Sequence, residues 1–391
     1  MESIVNAAGT ATQLPSGMAS DAAGNLYYSD RAVSRIKKID TAGKLSSIAG
    51  ATNQGNVNNV GASVGDGYIS STTGATALAS GTNTPRGMCI DNQNNLVWAD
   101  SGASRIRKIN LTTGLVLSVA GNTGTPTLVA GSAVPGDGGP AILARLNAAE
   151  DVACAADGTL YIADTGNHRI RKIDRNGIIT TIAGKTISVT SQSTTATDQN
   201  GNPILSTVLT SAAFNGDGQP GTNAQMNSPS GIKLDANGNL IISDRFNSRM
   251  RSLNLSTGVI TTMTTFINTP GRFAIDSTGR LFVPEMCTGT IGAGTNTVKI
   301  YDPNTNSVST FAGINHFSGD AGSDATGALF NQPTGIAVDG TGNIFVSDSG
   351  NHRIRKIDTT GGINTVVGTG VAGNNVIVDG GNGQVRKMVK N

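Results

Sequence analysis

Histidine, cysteine, aromatic and charged residues are all scarce in this chain: 3 His, 3 Cys, 4% aromatic and 14% charged among 391 residues. So few aromatics leave little on which nucleic-acid bases could stack. A formal net charge of +2 creates no global field toward nucleic acid or anionic membranes, so binding of either kind would need a local patch. No stretch approaches the roughly 18 consecutive apolar residues of a membrane span. The opening Met1-Glu2-Ser3 has neither the basic nor the apolar region of a signal peptide. The expectation is a soluble, monomeric domain that inserts in no membrane.

The cysteines are Cys89, Cys154 and Cys287, with no Cys-x-x-Cys spacing. Cys89 and Cys154 fall within the apolar runs Gly-Met-Cys-Ile and Val-Ala-Cys-Ala, where a free thiol packs as a small hydrophobe. An odd, scattered count points to neither a disulfide framework nor a zinc ribbon.

What the chain does hold is glycine, 52 residues of it, with much Ser, Thr and Asn. That composition suits short strands and tight turns. Low Lys content beside abundant Thr and Asn gives a compositional prior for an exported protein, whether extracellular, cell-surface or periplasmic.

Asp164-Thr-Gly-Asn-His-Arg-Ile-Arg-Lys-Ile-Asp174 recurs almost letter for letter as Asp348-Ser-Gly-Asn-His-Arg-Ile-Arg-Lys-Ile-Asp358, and weaker copies run throughout. Such self-similarity marks a modular array. In the clearest unit Gly335–Asp339, Asn343–Asp348, Arg353–Asp358 and Ile363–Val367 read as four short strands, which together make one blade of an all-β propeller. Turns such as Asp339-Gly-Thr-Gly342 start with an Asp that bonds its own backbone and end with a Gly tolerant of positive φ. Pro15, Pro85, Pro229, Pro270 and Pro333 precede first strands, where a missing donor is harmless.

Six full repeats fall near 15–50, 85–121, 149–184, 229–264, 270–313 and 333–368. The acidic residues that close their second strands are Asp30, Asp100, Asp164, Asp244, Glu285 and Asp348, spaced by about 70, 64, 80, 41 and 63 residues. The shortest spacing is near the length of a bare blade. The others therefore carry long interblade loops on one face, at 51–84, 122–147, 185–228 and 314–332.

Asp157-Gly-Thr-Leu-Tyr-Ile-Ala-Asp-Thr-Gly-Asn-His-Arg-Ile-Arg-Lys172 resembles the NHL-repeat β-propellers. The interblade segments Gly136-Asp-Gly-Gly-Pro-Ala141 and Gly216-Asp-Gly-Gln-Pro-Gly221 look like those of bacterial members. The resemblance covers nearly the whole chain, and six blades is the number it favours. The termini suggest a seventh: Val376–Met388 aligns with a second and third strand, and Ile4–Gly9 with the end of a fourth. A closing blade from 371–391 plus 2–9 would latch the ring and remove its free edges, although about 31 residues between Asp348 and Asp379 leave no room for its inner strand. Seven blades is the expectation and six the alternative.

Third strands place Arg35, Arg105, Arg169, Arg249 and Arg353 at one position and Lys37, Arg107, Arg171, Arg251 and Arg355 two residues on, on the same side of each strand. This ladder could be a basic ring for RNA or another polyanion. Because each cation comes with its own second-strand Asp, a structural role as a carboxylate fork is preferred.

Of the histidines, His168 and His352 occupy one turn position in different blades and cannot share a metal; the third is His316. The resemblance brings metal-dependent lyases and lactonase-like hydrolases into view, but no family set of channel-mouth ligands matches here. Glu285 replaces the usual Asp before an expanded turn and, with His316 and one or more inner-strand Asp residues, supplies the only nameable participants in such chemistry. Asp66, Asp137, Asp217 and Asp320 lie in Gly-Asp loops of a chemistry that Ca²⁺ accepts. A calcium site wants several carboxylates, so Asx turns are the preferred reading, and no cofactor is expected.

The leading functional expectation is thus a non-enzymatic scaffold whose interblade loops bind a protein or glycan. Phe214, Asp217, Asp137, Asp66, Asp320 and His316 are the candidate contacts. A divalent-metal lyase or hydrolase at the channel mouth is the alternative, and polyanion binding by the Arg ladder a second.

Overall fold

The computed structural model describes residues 14–50, 81–121, 136–184, 216–285, 296–314 and 324–368, with the backbone of 376–379 and 384–387. The second strand of each repeat is its most apolar stretch. Leu160–Asp164 and Asn95–Asp100 are buried at every position, as expected of a strand covered on both faces. The fourth strand, exemplified by Ile363–Val367, is partly exposed. Burial thus falls off outward from the axis.

Each repeat folds as a four-stranded antiparallel meander in chain order. Inner strands are Pro15–Ser20, Pro85–Ile90, Asp151–Cys154, Pro229–Leu234, Ala274–Ile275 and Pro333–Val338. In blades two, three, four and six the second strand returns to the third through a single 3₁₀ turn such as Thr165–Asn167 or Ser349–Asn351. The residue after that turn is left-handed: His168 has φ 54° and His352 φ 55°.

Six apolar clusters fill the six gaps between neighbouring blades. Tyr27, Met88 and Trp98 belong to the gap between blades one and two. Met18, Leu26, Tyr28, Ala337, Ile354 and Val367 belong to the gap between blade six and blade one. That last cluster closes the ring. Thr334 Oγ1 donates to the Pro15 carbonyl at 3.2 Å across the same gap.

The ring therefore has six blades, not seven. The first repeat supplies all four strands of its own blade, and its inner strand packs directly on that of the sixth, so there is no slot for a composite blade. Val376–Asp379 and Gln384–Lys387 instead pair with each other in a separate two-stranded sheet. Residues 2–9 lie outside the described residues.

Inner strands approach one another closely at the axis. A Cβ on Gly335 would sit 1.6 Å from the Ser16 carbonyl oxygen, and one on Gly17 would sit 2.2 Å from that of Arg86. Glycine is required at such contacts. Two blades depart from it: Asp151 and Arg272 occupy the equivalent positions in blades three and five.

Cys89 and Cys154 form a disulfide, with Cα atoms 5.8 Å apart, which corrects the expectation of free thiols. They lie on the adjacent inner strands of blades two and three. The spacing of 65 residues has no local signature because the pairing is made by blade stacking.

Candidate functional site

The ladder is built into the blades. Asp164 accepts the Asn147 N–H at 2.8 Å and faces Arg171 at 3.7 Å. Asp244 accepts that of Asn227 at 2.8 Å and faces Arg251 at 3.4 Å. Asp100 with Arg107 and Asp348 with Arg355 repeat the pattern at 3.6 and 3.9 Å. In blade one Lys37 meets Asp30 at 2.9 Å. The same arginines hold the chain as it enters the blade, since Arg171 and Arg251 each donate to a carbonyl, of Arg145 and Gln225, at 3.1 Å. Both side chains are fully buried. Of the outer ladder arginines, Arg35 and Arg169 are buried while Arg105, Arg249 and Arg353 are half-buried.

Glu285 stands at the ladder position of blade five and occupies it as the aspartates do. It is buried, accepts the Asn268 N–H at 2.9 Å and the Thr297 hydroxyl at 3.0 Å, and faces Lys299 at 3.7 Å. The candidates His316, Phe214, Asp66 and Asp320 lie outside the described residues, so Glu285 and His316 are not brought together by anything described.

Asp137 and Asp217 are turned inward. Both Nε and Nη2 of Arg171 donate to Asp137 Oδ1, while Oδ2 accepts the Thr181 N–H at 3.1 Å. Asp217 receives Arg251 Nη2 at 3.1 Å. The Gly-Asp-Gly segments thereby lie along the outer strand of the blade that follows: Gly138 N–H reaches the Ile179 carbonyl at 2.8 Å, and Gln219–Pro220 pairs with Val259 and Ile260. They also touch the blade that precedes, where Gly121 and Gly184 donate to Ala141 and Gly221. Each segment staples two blades.

A different constellation lies where the axis opens. Fourth strands end, first strands begin and the 3₁₀ turns sit on the same side of the ring, because the register pairs Pro15 with Asp30 and Ile36 with Ala49. On that side a small recess is lined by Arg31, Arg86, Glu150, Arg245 and Arg272, with Ser230, Gly271 and Thr334. Every blade contributes to it. Glu150 Oε1 takes Arg86 Nη1 at 2.8 Å and Arg245 Nη1 at 3.5 Å, and Oε2 faces Arg272 Nη1 at 3.6 Å. Arg272 also reaches across the axis to donate to the Ser16 hydroxyl. Asp151, one residue on, is buried, accepts the Ile232 N–H at 3.0 Å and faces Lys233 at 3.8 Å.

Burial lowers the pKa of Arg272 to about 10, with repulsion from Arg86 and Arg31 adding to the shift and Glu150 and Asp151 opposing it. Arg31 and Arg245 are lowered in the same way, first by burial and then by neighbouring arginines. At neutral pH all remain cations. Among the described residues no three His, Cys, Asp or Glu side chains converge in a way that could hold a metal ion.

This cluster belongs to none of the repeated third-strand positions and has no motif of its own in the sequence. The signal was present as departures from the repeat: Arg86 and Glu150 stand where Ser16, Ser230 and Thr334 stand in other blades. Arg31 and Arg245 follow ladder aspartates where Ser101, Thr165 and Ser349 do elsewhere.

Comparison with known proteins agrees with the architecture. The teneurin NHL domain model matches residues 116–204, and the NHL repeat model matches 330–357. Protein SUPPRESSOR OF QUENCHING 1, chloroplastic, of Arabidopsis thaliana is 28% identical over 202 residues, which is 50% of this chain and 16% of that protein. NHL repeat-containing protein 2 of Bos taurus is 36% identical over 62 residues, 16% of this chain and 8% of that protein. The chain thus spans less than a fifth of the length of these curated relatives. A solved gluconolactonase from Xanthomonas campestris superposes with a TM-score of 0.50 at 13% identity, covering 86% of this chain and 84% of that one; at that identity the likeness is one of fold.

Proposed function

We propose that this chain, a propeller of NHL repeats, is a non-enzymatic binding scaffold that recognises a protein or glycan on the face from which its interblade connections emerge. One observation carries the reading. The connections that bridge 50 to 81, 121 to 136, 184 to 216 and 314 to 324 each follow a fourth strand, whose end lies on the side where the axis opens, while the blades beneath are closed by their own ion pairs and apolar seams. Long connections carried on a rigid frame are where recognition is ordinarily placed.

The lyase or lactonase reading needs converging metal donors. The charged groups described at the channel mouth are instead mainly arginines, which favours binding. The Cys89–Cys154 disulfide supports an oxidising compartment and hence export.

The reading is tested by immobilising the chain and measuring binding to an array of neutral and acidic glycans and to extracellular-matrix proteins. The same measurement is made on a variant in which 185–215 is replaced by a short Gly-Ser connection. A ligand whose affinity falls at least tenfold in the variant, with the melting temperature little changed, is the expected result. Hydrolysis of gluconolactone that depends on added Ca²⁺ or Mg²⁺ would overturn it in favour of an enzyme.

A further inference from the structure

We infer that the channel mouth is an oxyanion site: Arg31, Arg86, Arg245 and Arg272 form a seat for one compact, multiply charged acidic group, such as a polycarboxylate, phosphate or sulfate.

The contrast with the ladder carries the argument. There Lys37, Arg107, Arg171, Arg251 and Arg355 each face a second-strand aspartate of their own. At the mouth, among the described residues, Arg86, Arg245 and Arg272 share the single carboxylate of Glu150 with Arg31 beside them, while Asp151 faces Lys233 and accepts a backbone N–H. Four arginines against Glu150 leave three positive charges in excess around the recess among the described residues. Grouping like charges where they are largely buried is unfavourable unless something anionic lies among them.

Donors are also left over. The Nε atoms of Arg31, Arg86 and Arg272 are buried and have no hydrogen-bond partner among the described residues. Arg272 is only 6% exposed. Guanidinium forks match the paired oxygens of carboxylate, phosphate or sulfate, and the hydroxyls of Ser230 and Thr334 line the same space. The depressed Arg272 pKa points the same way, because an incoming anion would relieve the repulsion that helps lower it.

Glu150 orders the arginines and competes with an anion for them. An anion therefore binds against Glu150, which gives a prediction that a purely structural cluster does not make. Removing the Glu150 charge strengthens anion binding, whereas removing an arginine weakens it.

The inference names the acidic group that a ligand of the proposed scaffold would present, and it rests on that reading only for the rest of the ligand. Its test uses small anions alone, so its failure would leave recognition by the interblade loops standing. Titration calorimetry and thermal shift are run with citrate, inorganic phosphate and sulfate at constant ionic strength, with chloride as the reference. Saturable one-to-one binding of at least one of them, with a dissociation constant below about 1 mM, is expected. The order of affinities then distinguishes a carboxylate ligand from a phosphate or sulfate one.

In Arg31→Ser/Arg86→Ser that affinity should fall at least tenfold. The repeat itself places Ser101 and Ser16 at these positions, so the fold should tolerate the change, and circular dichroism verifies it. In Glu150→Gln the affinity should rise several-fold. Arg175→Ser, which removes an exposed rim ion pair with Asp157, should bind as the wild type does. If no anion saturates, or if the double variant binds as tightly as the wild type, the site is not an oxyanion seat.

Discussion

Arg171 shows how one side chain sets the behaviour of a whole blade. It bonds the carboxylate of Asp137 and the carbonyl of Arg145 while facing Asp164, all without exposure to water. Truncation to Ala would strand Asp164 in the interior, so Arg171→Ala should cost about 3–5 kcal/mol, read from the denaturant midpoint. Asp164→Asn/Arg171→Met should recover part of that loss, because neither partner is then left charged. Burial pushes Asp100 and Asp348 up to about 6, above the ordinary carboxylate value, so the folded chain holds these protons more tightly than the unfolded one. Their contribution is present below about pH 4 and lost as pH rises through 6. Asp157 is held down to about 2, first by the Thr159 N–H, and its contribution is lost as pH falls below 4. Burial lowers His168, whose Nδ1 accepts the Ser228 N–H at 3.0 Å, so it opposes the gain below about pH 6.5. The melting temperature should therefore rise by roughly 2–4 °C from pH 7.5 to 5 and fall again toward pH 3, by calorimetry. His168→Ser, which copies Ser104 and Ser248 of other blades, should steepen that rise. The acidic ladder was legible in the sequence because it repeats; the mouth arginines were not, because each is a single exception whose meaning appears only when blades are set side by side.

Strands and turns were the most readable features, since alternating polarity and Asp-x-x-Gly punctuation are local. Asn343 N–H and Thr341 N–H both reach Asp339 Oδ1, at 2.9 and 3.0 Å, as the Asp339-Gly-Thr-Gly342 turn implied. The Gly-Asp-Gly segments at Asp137 and Asp217, expected from the sequence as Asx-turn loops offering contacts, are instead staples between consecutive blades. Their partner arginines lie 34 residues away, and no local pattern reports such a distance. The Cys89–Cys154 link was hidden for the same reason. It joins two inner strands across 65 residues, a loop whose closure is worth about 4 kcal/mol. Cys89→Ser/Cys154→Ser, or the wild type under reductant, should melt at least 5 °C lower; an unchanged transition would mean that the seam between blades two and three needs no covalent tie.

The ring closes where Pro15–Ser20 lies against Pro333–Val338, through an apolar seam and a few hydrogen bonds such as Ser349 and Thr334 to the Pro15 carbonyl. The repeat count fixed the class of fold, but the complementary ends pointed to a shared seventh blade that the packing does not use. Deleting 369–391 should therefore leave the melting temperature within about 2 °C and the circular dichroism unchanged; collapse of the fold would restore the composite blade. Five of the six seams are bridged by the chain itself, and the sixth is bridged by contact alone. That makes the molecule a clasped necklace. Pulled from its two ends, or warmed toward melting, it should part first at the clasp, turning a closed disc into an open arc. Joining the ends across the clasp and cutting the chain at another seam would move the weak point without altering a single blade.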